Sequence, residues 1–184
     1  MNILTVPTFE LKAFLTLSKG KPTNTAARPI YSPCARCLLV DISGTRVQLT
    51  HTNQIWFVRR CAYDFDVSRA LDGYYVLDLA AIAALKLSLR DKVTALDLES
   101  LRATFVNDTY LQGIDFSILC EKHKQGKHAA GSTFDLGYLQ AVVRYFKDAK
   151  CPQIDVTYPA QAYAPLQWDY ESGSYSGLLM PIRR

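Results

Sequence analysis

Two stretches of this chain, 57 residues apart, begin in the same way. Val76-Leu77-Asp78-Leu79, followed by Ile82 and Leu85, parallels Thr133-Phe134-Asp135-Leu136, followed by Leu139 and Val142. In each, an aspartate suited to a helix N-cap precedes apolar residues at helical spacing, because its carboxylate accepts bonds from the first unpaired N–H groups. Each helical stretch leads through a polar break to an alternating strand, Thr94-Ala95-Leu96-Asp97-Leu98 or Gln153-Ile154-Asp155-Val156. A repeated supersecondary unit constrains the fold more than any other feature, since a unit with one apolar helix face must cover it with neighbouring copies.

Read in order, the first copy starts with a strand over 2–6. A helix follows, with Thr8 as its N-cap after Pro7; Leu11, Phe14, Leu15 and Ser18 mark one face, and Lys12, Thr16 and Lys19 the other. Gly20-Lys21-Pro22 ends it. Beyond a polar loop the period changes to two, predicting strands over 37–42, 46–51 and 56–60 separated by Ser43-Gly44 and Thr52-Asn53. The second copy predicts a strand over 74–77, an Asp78-capped helix to about Leu87, and strands over 93–98, 101–106 and 114–119 with a Glu99-Ser100 turn. The third predicts a strand at Thr133-Phe134, a helix burying Leu139, Val142, Val143 and Phe146, and strands over 154–158, 166–170 and 176–180.

The expected fold is therefore α+β: repeats of strand, helix and three strands, forming antiparallel sheets with helices on one face. The expected division is a complete two-unit domain over 1–119, a basic linker over 120–132 carrying Lys122, Lys124 and Lys127, and a third unit over 133–184.

No apolar run approaches the roughly 20 residues needed to span a bilayer. Met1-Asn2-Ile3-Leu4 has no basic segment leading into a long apolar core, so no signal peptide is read and a cytoplasmic protein without membrane contact is expected. Five cysteines, an odd number, suit reduced thiols. The net charge of +4 is modest, and where the cations fall matters more. They recur on the outer helix faces: Lys12, Lys19 and Lys21; Lys86, Arg90 and Lys92; Arg144, Lys147 and Lys150. Three equivalent cationic faces on one side of a repeated fold form a track suited to a phosphate backbone.

Several segments together carry a resemblance: Leu4-Thr5-Val6 followed by 9–17, Arg28-Pro29-Ile30 leading into Leu38-Leu39-Val40, Val47-Gln48-Leu49-Thr50, 73–79, Phe134-Asp135-Leu136-Gly137-Tyr138-Leu139, and the terminal Leu178-Leu179-Met180-Pro181-Ile182-Arg183. With these the chain resembles the bacterial β sliding clamp of DNA polymerase III, the terminal Met-Pro-hydrophobic-Arg motif being the most specific. The resemblance implies a non-catalytic, nucleoid-associated processivity or recruitment factor without cofactor, whose helices meet double-stranded DNA through its phosphates. On that basis Lys12, Lys19, Lys86, Arg90, Arg144 and Lys147 are the DNA-facing candidates.

The resemblance also implies a pocket for the clamp-binding peptides of replication or repair proteins, with Leu178, Met180, Pro181, Ile182 and Arg183 as one wall. The opposite wall in clamps is a Thr-Asp-Gly-His-Arg-Leu-like strand end; its counterpart is Thr52-Asn53-Gln54-Ile55-Trp56-Phe57, assigning Thr52, Ile55 and Phe57, while the glycine, histidine and arginine are absent. Clamp subunits of that family hold twice as many units and close a ring as dimers, so a ring of this chain would take four copies; a homo-oligomer is expected, with a monomer or dimer that does not encircle DNA equally open. The rival expectation is a clamp-fold adaptor or decoy that keeps the peptide pocket without encircling DNA.

Other chemistry is weaker. Cys34-Ala35-Arg36-Cys37 has half of a zinc spacing, with His51, His123 and His128 as distant completions, but lacks a second CxxC, so buried thiols and no metal are expected. Asp64 with Asp66 and Asp97 with Glu99 pair carboxylates at strand spacing, where solvated carboxylates are the commoner explanation, and a metal-dependent nuclease is a distant third reading. Trp56, Trp168, Tyr163, Tyr170 and Tyr175 suit base stacking less well than core positions.

Overall fold

A computed structural model describes residues 2–19, 33–53, 56–105, 134–157, 165–171 and 173–181. Strand β1 (Ile3–Pro7) passes directly into helix α1 (Thr8–Leu17), and Pro7 holds the N-cap position without a side-chain bond. The expected Thr8 cap is thus displaced by one residue. The reason lies in the pairing of β1 with β7 (Val93–Asp97): Pro7 opposite Val93 brings the Lys92 carbonyl 3.0 Å from the Thr8 N–H, and the Thr8 and Thr94 hydroxyls meet at 2.9 Å. The carbonyl just before β7 thus pairs the first of the N–H groups the helix leaves unbonded, while the Thr8 hydroxyl is engaged by Thr94 instead of capping its own helix.

A short 3-10 helix (Pro33–Arg36) leads into the meander β2 (Cys37–Ser43), β3 (Arg46–Thr52) and β4 (Trp56–Ala62). Strand β5 (Asp66–Arg69), not expected from the pattern, pairs with β1; β6 (Gly73–Asp78) pairs with β2. Helix α2 (Leu79–Ala84) and helix α3 (Leu136–Asp148) are the repeated helices, and β8 (Asp155–Thr157), β9 (Leu166–Tyr170) and β10 (Tyr175–Leu179) complete the described elements. All pairings are antiparallel: a three-stranded sheet β5-β1-β7 and a seven-stranded sheet β6-β2-β3-β4-β10-β9-β8.

The large sheet joins the first unit to the third. Meanders β2-β3-β4 and β8-β9-β10 meet through their last strands, in opposite order, with Arg60 opposite Tyr175, Val58 opposite Gly177 and Phe57 opposite Leu178. The third unit is therefore not left with an open edge at β10, as an unpaired unit would be. Helices α1 and α3 lie together on one face of this seam: Phe14 stacks on Tyr145 at 5.0 Å, and Phe146 meets Trp168 edge-on at 6.2 Å. Leu11, Phe14, Leu17, Val142, Tyr145 and Phe146 are all buried there. Each such side chain contributes roughly 1.5–3 kcal/mol by leaving water.

Glycine is required at one seam position. A Cβ on Gly177 would stand 2.0 Å from the Trp168 indole nitrogen and 2.7 Å from the Phe57 carbonyl oxygen, because the buried Trp168 ring lies across β10 at its cross-strand partner.

Both capping aspartates act as expected. Asp78 accepts from the Ala80 N–H at 2.8 Å, and Asp135 accepts from Gly137 at 2.8 Å and Tyr138 at 3.2 Å. Four expectations need correction. Val143, expected on the buried face of α3, is 51% exposed. Helix α2 stops at Ala84 rather than near Leu87, with Lys86 turning into the left-handed region at φ 52°. Residues 101–105 form turns with a single bridge from Arg102 to Leu77 rather than a strand, and Phe134 is coil. The expected strand at 114–119 lies outside the described residues, as do 106–133, so the division at 119 and 132 is carried forward as a proposal.

Candidate nucleic-acid and peptide-docking surfaces

One face of α1 borders a groove of about 350 Å³, lined by Phe9, Lys12, Leu15 and Thr16 from α1, by Lys19 just past its end, and by Leu89 and Asp148. Sequence spacing accounts for this, since positions 9, 12, 16 and 19 fall on one helical stripe. Asp148 ends α3 and pairs with Arg144 at 3.8 Å, so Arg144 is contiguous with the α1 lysines. Leu89 brings the loop beyond α2, and with it Arg90, to the groove; Lys86 begins that loop and is exposed.

Lys147 lies on the other side of α3, in a second groove of about 450 Å³ with Lys150, Val143, Phe146 and Ile154. The Lys150 ammonium reaches back over the Phe9 ring at 4.4 Å and ties the end of α3 to the start of α1. The six cations expected to face DNA thus lie along α1, α3 and the loop beyond α2.

The other expected site is a row across three strands. Thr52 opposes Phe57, and Phe57 opposes Leu178, on the sheet face away from α1 and α3. All three are buried; the Thr52 hydroxyl donates to the Trp56 carbonyl at 2.8 Å, and Phe57 and Leu178 form a small cluster apart from the main core. Past the end of β10, Met180 is exposed and Pro181 half-buried. Ile55, Ile182 and Arg183 lie outside the described residues.

No protein-family model and no curated protein matches the sequence. Solved structures do match. The β subunit of DNA polymerase III from Thermotoga maritima superimposes with a TM-score of 0.61 at 13% identity, over 99% of this chain and 65% of that one. The sliding clamp of Bacillus subtilis gives 0.52 at 13% identity, over 100% and 64%; the β subunit from Streptococcus pyogenes gives 0.53 at 11%, over 100% and 66%. This chain has the sliding-clamp fold. It spans just under two thirds of the length of those clamps.

Within the clamp fold, the most unusual group is one that sequence reading passed over. Glu10 of α1 is 1% exposed, and its Oε1 accepts from the Arg60 Nε–H at 3.0 Å and from the Tyr175 hydroxyl. Arg60 and Tyr175 are cross-strand partners at the seam, the guanidinium 4.4 Å from the tyrosine ring, so one carboxylate joins α1, β4 and β10. Burial raises the Glu10 pKa, while the Tyr175 hydroxyl and Arg60 charge draw it back; Tyr175 is itself raised, by burial and then by Glu10. Glu10 Oε2 and the Tyr145 hydroxyl are buried without hydrogen-bond partners. A signal was present: positions 10, 14 and 17 share a helical face with Phe14 and Leu17, and a charge on such a stripe requires a partner.

Of the remaining candidates, Cys34 and Cys37 are buried beside Leu39, Val76 and Ala103. His51 turns its Nδ1 to the Cys37 carbonyl at 2.8 Å, and complete burial pushes its pKa down to about 4. Among the described residues no three metal-ligating side chains gather; His123 and His128 lie outside them. Asp97 accepts from the Glu99 N–H at 3.2 Å in the turn after β7, Asp66 accepts from the Ser68 N–H at 3.0 Å, and Asp64 stands 3.7 Å from Arg60. Trp56, Trp168 and Tyr175 are core residues and Tyr170 packs against them, while Tyr163 lies outside the described residues. No helix among the described residues is long and apolar enough to cross a membrane.

Proposed function

We propose that this clamp-fold protein is a non-catalytic DNA-associated processivity or recruitment factor of the cytoplasm, acting at the nucleoid as a homo-oligomer. Duplex is held through its phosphates by Lys12, Lys19, Lys86, Arg90, Arg144 and Lys147, without reading base edges. Partner peptides dock beside the end of β10, with Thr52, Phe57, Leu178, Met180 and Pro181, joined by Ile55, Ile182 and Arg183. The observation that supports the reading is the gathering of cations on a helix pair in a clamp fold: Lys12 and Lys19 line one groove with Asp148, and Arg144 pairs with that aspartate.

Retention on circular duplex tests it. The protein is expected to stay on a nicked circle, to leave when the circle is linearised, and to dissociate as salt rises. Reversing Lys12, Lys19, Arg144 and Lys147 to glutamate should abolish retention. A protein that stays monomeric and is never retained on DNA would sink the proposal.

A second reading is supported by exposed apolar residues amid the cations of α3. Leu136 is 70% exposed and Val143 51% exposed, where a duplex has no use for them. An adaptor that keeps peptide docking without encircling DNA accounts for such a face. It predicts that the monomer binds a clamp-binding peptide and that deleting 180–184 abolishes this; unchanged binding by the truncated protein rejects it.

A further inference from the structure

The groove beside α1 has a mixed lining. Lys12 and Lys19 share it with the apolar side chains of Phe9, Leu15 and Leu89. Leu89 is 66% exposed, on a loop where Leu85 and Val93 are also exposed among Lys86, Arg90 and Lys92. Single exposed leucines are ordinary. This one lies in a concavity of about 350 Å³ together with two further apolar side chains, which phosphodiester groups do not require.

Lys12 lies in α1 and Lys19 two residues past its end, in a turn whose Ser18 and Lys19 N–H groups still bond back to the Phe14 and Thr16 carbonyls; a rise of about 1.5 Å per residue over these seven positions sets them roughly 10 Å apart. An extended chain covers roughly that distance in three residues at about 3.3 Å each. We propose that this groove docks an extended acidic segment of a partner protein. Acidic residues three apart pair with Lys12 and Lys19, and an apolar side chain between them seats on Leu15 and Leu89. Charge complementarity selects such a segment over a neutral apolar one, and the apolar lining residues select it over a purely acidic one. Asp148 closes the α3 side of the groove and disfavours a further acid there. Docking does not depend on the duplex reading. Where both hold, the segment competes with DNA, because Lys12 and Lys19 serve both.

The probe is a fluorescein-labelled peptide Gly-Glu-Gly-Leu-Glu-Gly, titrated with the full chain by fluorescence anisotropy beside its Leu-to-Ser counterpart. The leucine peptide is expected to bind about tenfold more tightly, as burial of most of one leucine implies. Leu89→Ser should weaken it by a similar factor while leaving retention on circular duplex unchanged; its melting temperature confirms the fold, since the residue is exposed. The Lys12→Glu, Lys19→Glu double variant should lose the peptide. Equal affinity for the two peptides, wild-type affinity in Leu89→Ser, or no saturable binding of the leucine peptide overturns the proposal. A chain that binds the peptide but not DNA sustains the docking site and removes only the duplex reading.

Discussion

Helices α2 and α3 are the two most alike in sequence, yet α3 shares its sheet with α1. The aspartate caps of α2 and α3 work alike, but α2 runs over Leu79–Ala84 and α3 over Leu136–Asp148. The difference lies in what covers them. Helix α3 packs against α1 and the β4–β10 seam, burying Tyr138, Val142, Tyr145 and Phe146, whereas α2 buries Leu79 and Ile82. Short helices are marginal by themselves, so tertiary burial decides how far a capped start propagates. Sequence likeness marked where units begin; partnership in space depended on which faces met.

The sharpest way to break the α1–α3 partnership is Glu10→Ala. It leaves Arg60, 12% exposed at its side chain, with only the exposed Asp64 carboxylate at 3.7 Å, at a cost of roughly 3 kcal/mol read by urea unfolding. Unaltered stability would show that the triad does not hold α1 to the seam.

Acid should distinguish the two meanders, because His51 sits in β3 and faces Trp56 edge-on at 5.1 Å. Its folded pKa of about 4 lies below the ordinary 6.5, so the unfolded chain binds its proton first. Stability present above pH 6.5 is lost as pH falls through 4, by about 3 kcal/mol. The buried Glu10, raised instead, contributes with the opposite sign and offsets part of the loss. His51→Gln should flatten the pH dependence in this window; an unchanged slope would place the acid sensitivity elsewhere.

Gly177→Ala tests the third unit's side of the seam. The added methyl meets the Trp168 indole, and overpacking of this kind costs roughly 1–3 kcal/mol, with a changed near-UV signal from displaced tryptophan. Full stability and an unchanged spectrum would mean that Trp168 does not lie across this position.

The caps give the smallest effects. Asp135→Ala should cost about 1–2 kcal/mol, because its carboxylate serves two N–H groups of a long packed helix. Asp78→Ala should cost about 0.5–1 kcal/mol, with one bond in a short helix. Equal costs would mean that cap strength does not depend on helix length.

Much of this was legible beforehand. Alternation located β2, β3, β4, β9 and β10 within one or two residues, and the two aspartates located their helices. Strand β5 was missed because Asp66-Val67-Ser68-Arg69 carries little apolar pattern and is held by pairing with β1. The displacement of the Thr8 cap was not legible because Thr94, far along the chain, engages the Thr8 hydroxyl. The lysine stripe of α1 was legible as an outer face, but not the apolar side chains that share its groove, which depend on where the loop bearing Leu89 comes to rest.

By itself the sequence determined element types, two caps, the outward cations and, through several short segments, a likeness to sliding clamps. These depend on neighbours within a turn or two, where periodicity and capping chemistry act. Only the tertiary structure decided that β4 pairs with β10, that Arg60 and Tyr175 converge on a buried Glu10, and that Trp168 requires glycine at 177. Backbone hydrogen bonds between strands carry no sequence label, so which edges join is settled by the side chains that fill the space between them.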